Sequence, residues 1–348
     1  MKVMCAMSGG VDSSVAALLL RRAGHDVVGV TMKLWGGDSD TGCCSVSDVD
    51  DARRVAQQLD IDHLVFNFGD DFDEHVVRPY VDAHTRGVTP NPCIECNRSV
   101  KFARLAERAD LLGFDAVATG HHARIGRSPD GAYTLDRGAD PAKDQSYVVH
   151  MLDQARLART LFPVGALHKS EVRELAASID LRTADKPDSQ DVCFITSTGG
   201  RTAFLGERIP LRSGTVVDTS GVRLGEIESV ELVTIGQRKG LGLPGGGPKQ
   251  YVVDVDVDTA TVTVGLDVDL LQPGLTVDAV TWTDSPIAGE VLVQSSAHGR
   301  ATPATISPSA AGAVAVRWSE PQRRIAPGQS VVFYTPDDVS VLGGGLAR

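Results

Sequence analysis

The chain contains 348 residues, of which 42% are hydrophobic and 23% are charged. This composition is typical of globular proteins and excludes collagen-like, disordered and coiled-coil chains, while the length suggests two or three domains. The sequence contains no apolar run of the ~18 residues that a membrane span needs, and no signal-peptide pattern. We therefore expect no membrane partner and a cytoplasmic location.

The net charge of −11 argues, taken alone, against a nucleic-acid partner. The charge is unevenly distributed, however, because residues 251–300 contain eight acidic residues and a single basic one. Residues 101–250 sum to about +1. A basic face outside the acidic block is therefore compatible with the overall sign.

The first 120 residues alternate short apolar runs with amphipathic segments. We predict strands over residues 2–7, 26–34, 63–68 and 114–120, and helices over residues 13–22, 47–59, 70–86 and 97–112. This βαβα order predicts an α/β fold with a doubly wound parallel sheet.

The pattern changes after about residue 205, where helical periodicity disappears. We predict short strands over residues 230–235, 251–257, 261–264, 291–294, 313–318 and 331–334, separated by turns rich in Gly and Pro. Such strands favour two small β-rich or β-barrel domains. We therefore predict a catalytic domain over residues 1–204, a central domain over residues 205–270 and a C-terminal barrel over residues 271–348.

A glycine-rich turn, residues 8–13 (SGGVDS), follows the first predicted strand and leads into a helix. The backbone N–H groups of such a turn and the positive end of the helix dipole together form a phosphate site. The turn is neither a Walker A loop, because no lysine precedes Ser13, nor a G-x-G-x-x-G motif. The sequence therefore predicts a different kind of nucleotide-binding loop.

In a chain without a secretion signal, the cysteines are not expected to form a disulfide framework. Cys93 and Cys96 lie in a stiff loop, and we expect a helix starting after Cys96 to favour its thiolate. A structural zinc ribbon would need a second C-x-x-C pair, which the adjacent Cys43 and Cys44 supply poorly. Cys5 lies on a predicted buried strand and is interpreted as a core residue.

Residues 8–13 resemble the PP-loop of the ATP pyrophosphatases. Further segments resemble the tRNA-specific 2-thiouridylases, in order residues 89–102, 118–124, 143–147, 188–195 and 234–243. The resemblance implies an adenine nucleotide hydrolase-like fold and ATP-dependent 2-thiolation of the wobble uridine of tRNA. The C2 oxygen would be adenylated with release of pyrophosphate, and sulfur would then be transferred. ATP and Mg²⁺, the anticodon region of tRNA, and a sulfur donor such as a cysteine desulfurase or relay protein are implied.

The resemblance also implies roles for individual residues. Cys96 would be the nucleophile and Cys193 the carrier of a persulfide, with a transient Cys96–Cys193 disulfide. The implied ATP-binding residues are Ala6, Met7, Ser8, Gly9, Gly10, Val11, Asp12, Ser13, Met32 and Gly120. The implied target-base residues are Asn91, Pro92 and Cys93. The implied tRNA contacts are His121, Lys143, Asp144 and Gln145. In the predicted C-terminal barrel, we expect Arg317, Trp318 and Gln329 to contact the anticodon stem, because basic and aromatic side chains suit such contacts.

Cys93 departs from the family pattern, which has Asp at this position. Three thiolates, from Cys93, Cys96 and Cys193, can hold a [4Fe–4S] cluster, so a cluster-dependent thiolation is an alternative to the persulfide route. A PP-loop C–N ligase, which needs no paired cysteines, is a more remote alternative. A non-catalytic adenine-nucleotide sensor would tolerate replacement of both Cys96 and Cys193.

Overall fold

The protein is described by a computed structural model over residues 1–34, 46–188, 192, 194–195, 200–243, 247–309 and 312–348. Cys43, Cys44 and Cys193 lie outside these described residues. Within them, no helix has both the length and the apolar character needed to cross a bilayer.

A parallel sheet organises the N-terminal region. The strands of this region are β1 (Lys2–Ala6), β2 (Asp26–Lys33), β3 (Asp62–Asn67), β4 (Ala116–Ala118), β5 (Ala123–Arg127), β6 (Tyr133–Arg137) and β7 (Thr160–Leu161). The sheet order is β3-β2-β1-β4-β7, with all four pairings parallel. The predicted doubly wound sheet is confirmed. Because β1 is central, the loop that follows it opens at the edge where ligands bind in such folds.

The helices cover both faces of this sheet. They are α1 (Val11–Arg22), α2 (Val46–Gln58), α3 (Gly69–Phe72), α4 (Arg78–His84), α5 (Pro92–Glu95), α6 (Leu105–Leu111), α7 (Gln154–Leu157), α8 (Lys169–Ala177) and α9 (Gly200–Gly206). Strand β1 alternates between two hydrophobic clusters: Val3 and Cys5 pack with α1, whereas Met4 and Ala6 pack on the opposite side. This alternation is the period of two expected for a strand buried on both faces.

Two of the predicted helices are interrupted. The helix predicted over residues 70–86 contains a π-helical segment, Asp73–Val77, between α3 and α4. The helix predicted to start at residue 97 begins earlier, at Pro92, and continues through a π-helical segment, Cys96–Arg104, into α6. The expectation that Cys96 marks the helix N-terminus is therefore wrong. The side chain of Asn91 caps the helix instead, which places Cys93 in the first turn.

The central region forms a four-stranded sheet. Its strands are β8 (Gly214–Asp218), β9 (Arg223–Ile227), β10 (Tyr251–Asp256) and β11 (Thr261–Gly265), in the order β10-β11-β8-β9. The strand predicted over residues 230–235 is wrong, because Val230–Leu232 forms a 3-10 helix. Val230 is fully buried there, and its N–H group donates to the carbonyl of Arg212 rather than to a strand. The apolar residues of this segment are buried, and this burial produced a sequence pattern that resembles a strand.

Six antiparallel strands close the C-terminal barrel. They are β12 (Leu271–Trp282), β13 (Gly289–Gln294), β14 (Thr302–Pro308), β15 (Val314–Arg323), β16 (Ser330–Tyr334) and β17 (Ser340–Ala347). The strand order is β12-β15-β14-β13-β16-β17, and β12 also pairs with β17. This closure leaves no free edge within the ring, as expected for a small barrel.

The hairpin β5–β6 connects the N-terminal region to this barrel, because β6 pairs with β17. Arg137, at the end of β6, donates to Asp144 at 2.7 Å and to Gln294 at 2.9 Å. Its guanidinium also lies 3.8 Å from the ring centre of Tyr334 and pairs with Asp338 at 2.6 Å. One partly buried cation therefore joins the two regions.

We expect Arg137→Met to lower the free energy of unfolding by about 3 kcal/mol, because it leaves the buried Asp144 carboxylate without its cation. Urea denaturation followed by circular dichroism measures this loss. The control is Arg127→Met, which removes an exposed cation from the ring of Tyr133 and should cost less than about 1 kcal/mol. Equal losses in both variants would contradict the joining role.

Candidate functional site

The loop after β1 is shaped by glycines and serines. Gly9 has a positive φ of 73°, and a Cβ atom there would collide with the backbone of Asp48. The N–H group of Ser8 donates to Oγ of Ser13 at 3.1 Å, and that hydroxyl donates to the carbonyl of Gly10 at 3.1 Å. The loop is thus folded back over the first turn of α1, at the helix N-terminus where the sequence predicts a phosphate site.

Gly120, just after β4, packs directly against this loop. A Cβ atom at Gly120 would lie 2.6 Å from the backbone nitrogen of Ser13 and 2.8 Å from the carbonyl carbon of Asp12. Met32 lies near the end of β2 and is buried. The structure therefore brings the implied ATP-binding segment, residues 6–13, together with Met32 and Gly120 at the carboxyl edge of one sheet.

A partly buried ion pair holds Asp12, the acidic residue of the loop. Nζ of Lys169, the first residue of α8, donates to both carboxylate oxygens of Asp12 at 2.7 Å. Nε2 of His122 also donates to Asp12, at 3.1 Å. Burial by itself raises the pKa of Asp12, but the hydrogen bonds from His122 and Lys169 outweigh it and hold that pKa below its ordinary value. Asp12 is therefore ionised at neutral pH.

Asp188 is a second carboxylate that binds Lys169, on the side away from the nucleotide loop. Its carboxylate accepts from Lys169 at 2.8 Å, from Lys143 at 2.7 Å and from Arg173 at 3.1 Å. Partial burial raises the pKa of Asp188, but Lys143 and Lys169 outweigh this effect and lower it to about 2. Three cations therefore converge on the residue that begins the DSQDVC segment.

Sequence reasoning missed Lys169. The nucleotide loop has no lysine of its own, and the structure supplies one from α8, 157 positions along the chain. The only local signal is a helix start, in which Glu171 accepts from the backbone N–H of His168. The sequence also gave no functional role to His122, which is 2% exposed and hydrogen-bonded to Asp12.

The segment with the paired cysteines is rigidly held. Oδ1 of Asn91 accepts from the N–H groups of Cys93 at 3.0 Å and Ile94 at 3.3 Å. Pro92 occupies the first helical position, where its missing N–H costs nothing. Cys96 is 7% exposed and belongs to the hydrophobic cluster that also contains Ala6. The implied target-base residues and Cys96 thus lie in one capped helix beside the sheet.

Phe194, which follows the DSQDVC segment, packs in the hydrophobic core. Its ring contacts those of Phe72, Tyr80 and Phe204, with centroids 5.1 to 5.6 Å apart. These rings belong to the same hydrophobic cluster as Cys96. The neighbour of Cys193 in sequence therefore packs on the core that buries Cys96.

The implied tRNA contacts of the N-terminal region all have partners within the protein. His121 packs against the rings of Phe102 and Phe162, and burial followed by the charge of Lys101 lowers its pKa to about 3. Lys143 pairs with Asp188. Asp144 and Gln145 form hydrogen bonds with other residues of the same region. Asp144 accepts from Arg137 and Ser146, and Oε1 of Gln145 accepts from the N–H of His122.

The predicted tRNA contacts of the barrel lie in different environments. Arg317 is exposed on β15. Trp318, which follows it, is 8% exposed and packs inside the barrel, as strand alternation requires. Gln329 donates through Nε2 to the carbonyl of Thr89, two residues before Asn91. The barrel therefore touches the loop that leads to the paired cysteines.

Metal ligands are not grouped in the described part of the chain, where no three His, Cys, Asp or Glu side chains are arranged to hold an ion. Asp12 is the carboxylate that the nucleotide loop supplies, and Lys169 occupies both of its oxygens. A three-cysteine cluster would need Cys193, which lies outside the described residues. The cluster therefore remains a prediction.

The ion pairs of Asp188 should make stability depend on acid pH. Because its folded pKa of about 2 lies below the ordinary value of 3.8, the stabilisation is complete above pH ~4 and is lost as the pH falls toward 2. We expect Asp188→Asn to lower the melting temperature at pH 7, and the difference from wild type to shrink between pH 4 and 2. Asp60→Asn, at a carboxylate that is 93% exposed, is the control and should have little effect. A pH-independent difference for Asp188→Asn would contradict this account.

Comparison with known proteins covers nearly the whole chain. Three family profiles match in order: tRNA methyl transferase HUP domain over residues 1–197, tRNA methyl transferase PRC-barrel domain over 202–266, and aminomethyltransferase beta-barrel domain over 272–347. A tRNA-specific 2-thiouridylase of Herpetosiphon aurantiacus is 46% identical and covers 99% of this chain and 97% of its own. A tRNA-specific 2-thiouridylase of Symbiobacterium thermophilum is 47% identical, and the match covers 99% of this chain and 91% of that protein.

Among solved structures, the U34-tRNA thiolase NcsA of Methanococcus maripaludis is similar at 17% identity. The match covers 60% of this chain and 62% of that one, with a TM-score of 0.37. So distant a likeness supports no conclusion about the reaction or a cluster. The full-length relatives and the matched profiles, by contrast, establish that the chain belongs to the tRNA-specific 2-thiouridylase family.

Proposed function

We propose that this protein is a tRNA-uridine 2-sulfurtransferase that thiolates the wobble uridine of tRNA at the expense of ATP. The observation that carries the proposal is the common hydrophobic cluster of Ala6, Met32 and Cys96, which packs the Cys96 thiol on the same face of the sheet as two implied ATP-binding residues. A C–N ligase needs no thiol there. Both substrates, ATP and tRNA, are those of the cytoplasm, in keeping with the expected location.

The nucleotide loop performs the activation step. Backbone N–H groups of the loop bind the phosphates, and the α1 N-terminus offsets the charge of the departing pyrophosphate. The C2 oxygen of the uridine attacks the α-phosphorus, and the bond to the β-phosphate oxygen breaks. The result is an O-adenylate, in which a poor leaving group has become AMP. Mg²⁺ enters with ATP as part of the substrate.

The cysteines perform the sulfur transfer. A sulfur-donor protein loads Cys193 as a persulfide, whose terminal sulfur attacks C2 and displaces AMP. The Cys96 thiolate then attacks Sγ of Cys193. The bond between this Sγ and the transferred sulfur breaks, and the transferred sulfur stays on C2 of the uridine. The products are 2-thiouridine and a Cys96–Cys193 disulfide, which a thiol reductant returns to two thiols. In the variant order, Cys96 first releases hydrosulfide, which then attacks C2.

The test uses iron-free protein with MgATP, unmodified tRNA and a cysteine-desulfurase persulfide source. Nucleoside mass spectrometry should detect 2-thiouridine in the wild type and in Cys93→Ser. In Cys96→Ser and Cys193→Ser, we expect a loss of at least ~10³-fold in thiolation with tRNA-dependent pyrophosphate release retained. Cys5→Ala, at a buried core thiol, is the matched control and should stay active.

Other outcomes of this assay distinguish the alternatives. Product that forms only after anaerobic cluster reconstitution, and that is lost in Cys93→Ser, would assign Cys93, Cys96 and Cys193 to a [4Fe–4S] cluster. Pyrophosphate release that ignores tRNA and both serine variants would instead favour a ligase or a nucleotide sensor.

Gly120→Ala should weaken MgATP binding by about tenfold or more, because the new methyl group pushes on the backbone of Ser13. Equilibrium titration with a fluorescent ATP analogue measures the change. Gly247→Ala is the control, since a Cβ atom there meets nothing within 4 Å. Unchanged affinity in a folded Gly120→Ala protein would move the nucleotide site away from this crevice.

A further inference from the structure

Lys143, a proposed tRNA contact, is connected to the nucleotide loop by a continuous chain of ion pairs. Lys143 binds Asp188 at 2.7 Å, Asp188 binds Lys169 at 2.8 Å, and Lys169 binds both oxygens of Asp12 at 2.7 Å. The first cation of this chain is 40% exposed, whereas Lys169 is 11% exposed. One end of the chain therefore faces solvent and the other lies inside the ATP crevice.

A second, shorter route reaches the same carboxylate. Gln145 and His122 exchange two hydrogen bonds: Oε1 of Gln145 accepts from the His122 N–H at 2.9 Å, and the Gln145 N–H donates to the His122 carbonyl at 2.8 Å. Nε2 of His122 then donates to Asp12 at 3.1 Å. Two proposed tRNA contacts, Lys143 and Gln145, are thus each connected to Asp12 through intermediate residues.

The backbone around Lys143 is fixed, so its side chain is the part that can move. The Lys143 N–H donates to the carbonyl of Asp140 at 3.0 Å, and the Asp140 carboxylate accepts from the N–H of Lys169 at 3.0 Å. Asp144 accepts from the N–H groups of Gly138 and Ser146. If the Lys143 side chain changes its partner, Asp188 therefore loses an ion pair while the backbone of the loop keeps its position.

We propose that the chain Lys143–Asp188–Lys169–Asp12 couples tRNA binding to MgATP binding. The inference rests on the proposed function and on the tRNA contact that the family resemblance implies for Lys143, which we take to be a contact with a phosphate. When that phosphate takes the Lys143 ammonium, Asp188 loses one of its three cations and Lys169 loses a like-charged neighbour. Lys169 then moves toward Asp188, and an oxygen of Asp12 becomes available to the Mg²⁺ that accompanies ATP. By linkage, MgATP strengthens tRNA binding by the same factor.

The test measures equilibrium binding of a non-hydrolysable MgATP analogue with and without an anticodon stem-loop. In the wild type, the stem-loop should tighten analogue binding by about two- to fivefold, the effect of one partly exposed ion pair. Lys143→Met should show the tighter binding without RNA and no further response to it. Asp188→Asn should do the opposite: Lys169 then stays on Asp12, the analogue binds more weakly, and RNA has no effect.

Two controls isolate the chain of ion pairs. Lys143→Arg keeps the charge and should keep the coupling. Lys249→Met removes the same charge from an exposed position in the central region and should leave the response to RNA unchanged. Circular dichroism of Asp188→Asn checks that the fold is retained, and Lys143→Met alters only a half-exposed side chain.

The outcomes separate this inference from the proposed function. If Lys143→Met weakens RNA binding but keeps wild-type analogue affinity and coupling, Lys143 is a simple contact and the coupling chain is overturned. If the wild type binds RNA and analogue without mutual effect, it is overturned as well. If the wild type binds no RNA at all, the proposed function itself fails.

Discussion

The ion pair between Asp12 and Lys169 is the contact on which the site depends. A charge as buried as Lys169 must be paired, and Asp12 and Asp188 are its partners. To supply them, α1, α8 and the segment that contains Asp188 must meet at the loop after β1. The parallel sheet brings the first two together, and the cations on Asp188 hold the third. Lys169 is thus the residue that connects α1, through Asp12, to the segment around Asp188.

Thr89 is where the three regions of the chain meet. Its N–H donates to the carbonyl of Pro327 at 3.1 Å, its carbonyl accepts from Gln329, and its hydroxyl lies 3.3 Å from that of Thr234. Two residues later, Asn91 caps the helix that contains the paired cysteines. The β domains therefore do more than present a surface, because their contacts set the path of the loop that enters this helix.

Sequence patterns sufficed where the information is local. The apolar run of residues 2–7 and the glycines after it predicted a buried strand followed by a glycine-rich turn. Residues joined through the tertiary structure could not be found in this way: Lys169 reaches Asp12 across 157 positions, and β6 finds β17 only in the folded chain. The helix start was misplaced because Asn91 and Pro92 read as a stiff loop, although together they form an N-cap and a first helical residue.

The central claim is that the C2 oxygen of the wobble uridine is activated as an adenylate. The direct test uses tRNA that contains ¹⁸O at O2 of this uridine, in a single-turnover thiolation with MgATP and a persulfide donor. Because AMP leaves with the oxygen that sulfur replaces, the account predicts that the ¹⁸O appears in AMP in step with 2-thiouridine formation. AMP that carries only ¹⁶O while 2-thiouridine accumulates would contradict the account.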